Sequence, residues 1–201
     1  MRAVIVYESM FGNTHAIADA VGKGLEPVLE TVVVSLAEAS RERLGDADLL
    51  VVGGPTHFHG MSRPRSRKWA VGIAQKPSND LVLDRDAEGP GLRDWLGSLG
   101  HGRTKVAAFD TRFNGIASFT GRASKAISRK LRRHGFEVVA KPESFLVDSK
   151  HHLEAGEEAE PRNGANGSRQ ALCRSAPPMR TVRGRHRRRR RDGRGHDPHS
   201  G

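Results

Sequence analysis

The sequence predicts an α/β fold: a doubly wound, parallel, five-stranded sheet with helices on both faces. Three observations carry that expectation. Apolar, β-branched runs recur along the chain and are continuous rather than alternating, as suits strands buried on both faces. Segments of helical spacing separate these runs, so strand and helix alternate. The first run passes directly through a polar, glycine-containing turn into a helix.

Taken in order, the first strand is expected near 2–7, where Val4-Ile5-Val6-Tyr7 is uninterrupted. The first helix is expected over 14–25, because Ile17, Ala20, Val21 and Leu25 share a face. Strands near 30–36 and 48–53 flank a helix near 38–44, with Gly45 as its stop. Helices near 64–74 and 91–99 precede a fourth strand at 104–109. A helix near 122–134 ends at Gly135, and the last strand lies between 137 and 147, with Pro142 marking a break or an edge. Residues 76–90 form an insertion, and its Asp84, Asp86 and Glu88 read as a solvated acidic loop. Trp69 and Trp95 lie in helical segments and read as core anchors. Tyr7, the only tyrosine, is expected to pack at its strand end.

The first turn, Glu8-Ser9-Met10-Phe11-Gly12-Asn13-Thr14, concentrates hydroxyls and backbone amides at a helix N-terminus, a natural anion site. The triphosphate loop needs Gly-x4-Gly-Lys-Ser/Thr, and no lysine lies between Met1 and Val21. The dinucleotide fingerprint needs three spaced glycines, and only Gly12 is present. What remains is a phosphate loop of hydroxyls and amides without a cation, or a plain Ser or Asn helix cap with no ligand.

Ser9-x-x-Gly12-x-Thr14 after a Tyr-ended strand resembles the phosphate loop of flavodoxins, which bind flavin mononucleotide (FMN). Val51-Val52-Gly53-Gly54-Pro55-Thr56-His57 is similar to the family's second flavin loop. Val106-Ala107-Ala108-Phe109-Asp110-Thr111-Arg112-Phe113 stands in the place of the third, and Glu143-Ser144-Phe145-Leu146-Val147 resembles the last strand. The resemblance runs collinearly over about residues 1–160 and implies the strand order 2-1-3-4-5. Each loop then follows a strand's carboxyl end, where ligands of such sheets sit.

The resemblance implies a task for each loop. Ser9, Asn13 and Thr14, with the backbone amides from Met10 through Phe11 and Gly12 to Thr14, would hold the FMN phosphate. Phe11 stands where family members often carry a second threonine, which removes one hydroxyl. Gly53-Gly54 permits close backbone approach, Pro55 fixes it, and Thr56, His57, Phe58 and Gly60 would run along the ring edge. Phe58 is the first choice to stack on the ring, ahead of His57 or His59, which otherwise read as solvated loop histidines. Lacking a cysteine or a third histidine nearby, these two are not read as a metal site. In the third loop Asp110, Thr111 and Arg112 lead to Phe113, an aromatic placed to lie against the flavin or to serve as a core or lid residue.

Typical members of the family are acidic. Here Arg63, Arg65, Arg67 and Lys68 follow the second loop and Arg112 lies in the third. Cations within a Debye length (~8 Å at physiological salt) favour the anionic, fully reduced cofactor and a less reducing flavin. They also suit an acidic redox partner or an anionic substrate, or they are simply a solvated helix face.

Composition sets the remaining bounds. About 160 ordered residues bury ~68–70% of their unfolded surface, enough for one core, so residues 1–160 are read as a single domain. No apolar run is long enough for a membrane span, and the polar turn from Glu8 interrupts the N-terminal run too early for a signal peptide. The single cysteine, Cys173, rules out an internal disulfide and points to a cytoplasmic setting. Residues 161–201 hold 12 of the 34 basic residues, all arginine, against only Asp192 and Asp197. This basic tail cannot build a core and is expected to be disordered. Its composition, and the break at Pro161 where a closing helix would begin, fit a frame-shifted or degenerate end. A nucleic-acid-binding extension is the less favoured reading, because the tail has no aromatic residue for stacking.

The leading function is an FMN-binding electron carrier working with a redox partner protein or a small-molecule acceptor. The alternative is an FMN-dependent NAD(P)H:quinone or small-molecule reductase on the same fold. A phosphate-binding regulatory domain is disfavoured, because Glu8-Ser9 and Gly53-Gly54 stand where a receiver domain needs aspartates. No catalytic Ser-His-Asp or Cys-His arrangement is recognisable.

Overall fold

The computed structural model describes residues 1–114, 121–148 and 153–154. The basic tail, with Cys173, and the 157–160 segment, where a closing helix would start before the break at Pro161, lie outside the described residues. In chain order the elements are β1 (Arg2–Tyr7), α1 (Asn13–Leu25), β2 (Glu30–Ser35), α2 (Arg41–Leu44), β3 (Leu49–His57), β4 (Gly60–Met61), α3 (Pro64–Ala74), α4 (Leu92–Ser98), β5 (Lys105–Phe113), α5 (Ala123–Arg133), β6 (Glu137–Val138) and β7 (Glu143–Val147).

The sheet runs β2-β1-β3-β5-β6 with parallel pairing throughout, and β7 continues beside β5. This is the doubly wound α/β class, but it differs in detail from the expected five strands in the order 2-1-3-4-5. The last strand is split into β6 and β7, both on β5, with Pro142 in the gap; proline has no N–H to give a ladder. An unforeseen two-residue strand, β4, folds back antiparallel on β3. Both β3 and β5 also run four residues beyond their expected ends, so the second and third loops begin as strand. Helix α2 starts only at Arg41, where Ser40 caps it by accepting from the Arg43 amide at 3.3 Å.

The period of two sorts each buried strand between two cores. Val4 and Val6 of β1, with Leu50, Val52 and Val106, pack against Leu92 and Leu96 of α4 and Ile127 and Leu131 of α5. Ala3, Ile5 and Tyr7, with Leu49, Val51 and Phe109, pack against Ile17, Ala18 and Leu25 of α1. A third, small cluster joins Met10 to Ala70 of α3 and to Ala87. It fastens the 76–90 insertion over the first loop, where the Asp84 amide donates to the Met10 carbonyl at 2.9 Å. Most of the insertion is exposed, Glu88 included, as its composition implies, but Ala87 is buried and the Asp84 side chain is turned inward toward His15. Trp95 is the core anchor expected, packed against the first cluster and bonded to the Ala39 carbonyl.

Candidate functional site

The first loop is shaped from within. Gly12 sits at φ 84°, a left-handed conformation that glycine adopts without a Cβ penalty, and its amide donates to Ser9 Oγ at 3.1 Å. No N-cap side-chain bond closes α1 and its first turn holds no acid, so the positive end of its dipole meets no acidic side chain within the helix. Thr14, in that first turn, is buried, and its hydroxyl bonds the hydroxyl of Thr111 on β5 at 2.8 Å. This one bond ties the first loop to the third across 97 positions of sequence.

The second loop owes its course to close packing under β3. A Cβ on Gly53 would fall 2.0 Å from the Phe109 ring, so a glycine is required there. Beyond Pro55, the Thr56 hydroxyl accepts the Ala123 amide at 2.9 Å and so serves the start of α5. The β3–β4 pairing of Thr56 with Met61 and His57 with Gly60 leaves Phe58 and His59 as a two-residue turn. Both have positive φ, 42° and 75°, which is the type I′ pattern that Asn-Gly normally supplies. An aromatic residue and a histidine at these positions store of order 1–3 kcal/mol of backbone strain each. The turn leans on Gly121, where any Cβ would strike the His59 backbone.

In the third segment Asp110 is wholly buried, and its carboxylate accepts the Ser124 amide at 2.6 Å. Asp110 therefore anchors the N-terminus of α5, and its buried side chain is not among those lining the cavity, unlike its expected place at the cofactor. Burial raises its pKa. Thr111, Arg112 and Phe113 follow along the strand.

These three segments enclose a cavity of about 330 Å³. Met10, Phe11, Asn13 and Thr14 line it from the first loop, Pro55 to His59 from the second, and Thr111 to Phe113 from β5. Ser9, Gly12, Gly60 and Asp110, expected at the cofactor, are not among the lining residues; Ser9 and Gly12 instead hold the loop's shape. Phe11 packs on the Met10–Ala70–Ala87 cluster, so an apolar anchor stands in place of the missing hydroxyl. Among the described residues no carboxylate lines the cavity, and Arg112 is one of its lining residues.

Its mouth is aromatic. Phe58, Trp69 and Phe113 are 69%, 58% and 42% exposed, and Phe58 and Trp69 tilt together with ring centroids 5.3 Å apart. Trp69 is therefore a wall of the site and not the core anchor its helical segment implies. The missed signal is that the buried side of α3 is made of small residues, Ser66 and Ala70, which leaves no room for an inward Trp.

Behind the cavity lies a polar layer that sequence reasoning missed. Glu8 is buried; its carboxylate accepts from Ser62 Oγ at 2.7 Å and from the Leu92 amide at 2.9 Å, and Arg67 approaches it at 3.5 Å. Arg67 also donates to the carbonyls of Ala87 and Gly89. Of the cations following the second loop, Arg67 is thus turned inward and paired, unlike the exposed Arg63, Arg65 and Lys68. Burial raises the Glu8 pKa, opposed by the Ser62, Leu92 and Arg67 contacts. His57 is not solvated: its Nδ1 lies 3.1 Å from Ser66 Oγ, and burial, with the Arg67 charge, pushes its pKa down to about 4. The ring is neutral at physiological pH. His15 stacks on Tyr7 with centroids 4.5 Å apart and reaches Asp84 at 3.4 Å.

Among the described residues no cluster of His, Cys, Asp and Glu forms a metal site, and no helix is long and apolar enough to cross a membrane.

The family model described as Flavodoxin matches residues 5–160. Among solved structures, the chain is similar to oxidised flavodoxin 2 from Bacillus cereus, at 22% identity over 86% of this chain and 96% of that one, with a TM-score of 0.55. A flavodoxin from Streptococcus pneumonia TIGR4 aligns at 17% identity over 85% and 94%, also at 0.55. Oxidised flavodoxin 1 from Bacillus cereus aligns at 19% over 86% and 93%, at 0.51. At these identities the likeness is one of fold. No curated protein matches the chain.

Proposed function

The chain belongs to the flavodoxin family, whose members bind FMN and transfer electrons, and from that premise we propose that the cavity between the three loops is the FMN site of an electron carrier. The observation that carries this reading is the joining of the first and third segments through Thr14 and Thr111 around a cavity that no carboxylate lines among the described residues. The residues present suit the cofactor at both ends. The N-terminal amides of α1, with the Asn13 and Thr14 side chains, suit a phosphate, and exposed Phe58, Trp69 and Phe113 suit an aromatic ring.

When bound, FMN supplies the redox chemistry, accepting and releasing electrons at its ring. The protein's own contribution is to grip, orient and tune. Exposed Arg63 and Arg65 near the mouth place positive charge beside the site, which favours a negatively charged cofactor and raises its potential. Neutral His57 adds no charge of its own. The partner is a redox protein or a small-molecule acceptor.

The visible spectrum of the purified protein tests the reading. A flavin spectrum, present as isolated or regained on adding FMN, is the expected result. A colourless protein that takes up no FMN would refute it.

A further inference from the structure

Beside the cavity lie two clefts of about 660 and 480 Å³ that share Met61 and Arg93 and so form one groove. Its near end shares Phe58 and Trp69 with the cavity mouth. Its far end runs to Arg129, Lys130 and Arg133 of α5. Among the described residues no Asp or Glu lines either cleft.

Ordinary surface chemistry explains part of this charge, since cations in the last turn of α5 are favoured by the helix dipole. It does not explain Arg93. That residue stands in the first turn of α4, where the dipole disfavours a cation, and it is only partly exposed, as is Lys130. Arg93 donates to the carbonyls of Met61 and Ser62 at 3.2 and 3.4 Å, and Lys130 Nζ donates to the Arg93 carbonyl at 2.7 Å. Carbonyl partners fix both side chains in place without cancelling their charge. Among the described residues neither they nor Arg63, Arg65, Arg129 and Arg133 form an ion pair with a carboxylate. Partly desolvated cations held this way are stabilised by an anion, and guanidinium groups beside an ammonium suit phosphate oxygens.

We propose that the groove binds a nucleotide di- or triphosphate, its phosphates against Arg93, Lys130 and Arg129 and its base against Trp69. The aromatic end distinguishes this ligand from a bare oligophosphate, and the concave, apolar-floored shape (Met61, Ala126) distinguishes it from an acidic protein surface. The groove meets the proposed FMN site at His57 to His59 and at Trp69, so its phosphate contacts stand whatever fills the cavity, and its base contact needs one face of the Trp69 ring left open.

Calorimetric titration of the full-length protein with ADP, and separately with inorganic pyrophosphate, tests it. ADP is expected to saturate one site and pyrophosphate to bind about tenfold more weakly for want of a base. The Arg129→Glu/Arg133→Glu double variant, at exposed positions, is expected to weaken ADP about tenfold or more. If that variant unfolds, Lys130→Gln carries the same expectation. Three results would overturn the proposal: no saturable ADP binding at low salt, binding that these variants leave unchanged (which would place it on the arginines of 161–201), or pyrophosphate binding as tight as ADP.

Discussion

Thr14 shows how one residue serves both the fold and the site. Its hydroxyl is buried against that of Thr111, so Thr14→Val leaves a buried hydroxyl unsatisfied and should cost about 1–3 kcal/mol in chemical denaturation. Replacing both threonines by valine removes both ends of the bond and should recover most of that stability. FMN affinity should stay low in the double variant; recovery of binding along with stability would reduce the pair to a purely structural role. His57 gives a second residue-scale test. Its pKa is about 4 in the folded protein against 6.5 when free. Between these values the unfolded chain binds the proton and the folded chain does not, so stability is full above pH 6.5 and falls as the pH drops to 4. The loss should reach roughly 3 kcal/mol. Unfolding free energies of wild type and His57→Gln, measured from pH 7 to 4, should therefore diverge on acidification; parallel curves would contradict the burial of this ring. The place of Thr14 in the first turn of α1 was legible in the sequence, from the polar turn that precedes a run of helical spacing; its bond to Thr111 was not. His57, Glu8 and Trp69 were not, because their roles depend on Arg67, Ser62 and Ser66, which tertiary folding brings to them.

At the scale of elements, the β3–β4 hairpin carries the clearest tension between fold and function. Phe58 and His59 occupy left-handed positions that favour Asn and Gly, and Phe58 is largely exposed beside Trp69. Phe58→Asn/His59→Gly should raise stability by about 1–2 kcal/mol and weaken FMN binding, because it relieves strain and removes a ring together. A variant no more stable than wild type would mean that the turn is not strained. Gly53 works the other way: Gly53→Ala drives a methyl into the Phe109 ring and should destabilise by about 1–3 kcal/mol or more, read as a lowered Tm. The helices and the starts of the strands were legible from periodicity, and Gly135, at φ 85° after α5, is the stop expected of it. The ends of β3 and β5 were not, since Pro55 and the polar Asp110-Thr111-Arg112 read as loop. Pairing of Gly54 with Asp110 and of Pro55 with Thr111 overrides that local preference, and the Ser124 amide bonds one oxygen of the buried carboxylate.

At the scale of the whole molecule, the parallel sheet brings three segments, distant in sequence, to one edge. Val4-Ile5-Val6 and the 49–53 and 105–109 runs specified that sheet, and with it the edge where a ligand sits. The sequence order of the loops was enough to place the cavity but not its cover or its flank. The insertion holds the first loop through Met10, Asp84 and Ala87, a packing that its acidic composition conceals. The basic groove is assembled from residues around positions 63, 93 and 130 and has no local signature. The central claim remains the one on which the first loop bears: the start of α1 holds a phosphate, and that phosphate belongs to FMN. Comparing FMN with riboflavin in titrations followed by quenching of flavin fluorescence tests this most directly. FMN should saturate one site and riboflavin, which lacks the phosphate, should bind at least about tenfold more weakly. Equal affinity for the two, or no binding of either, would contradict it.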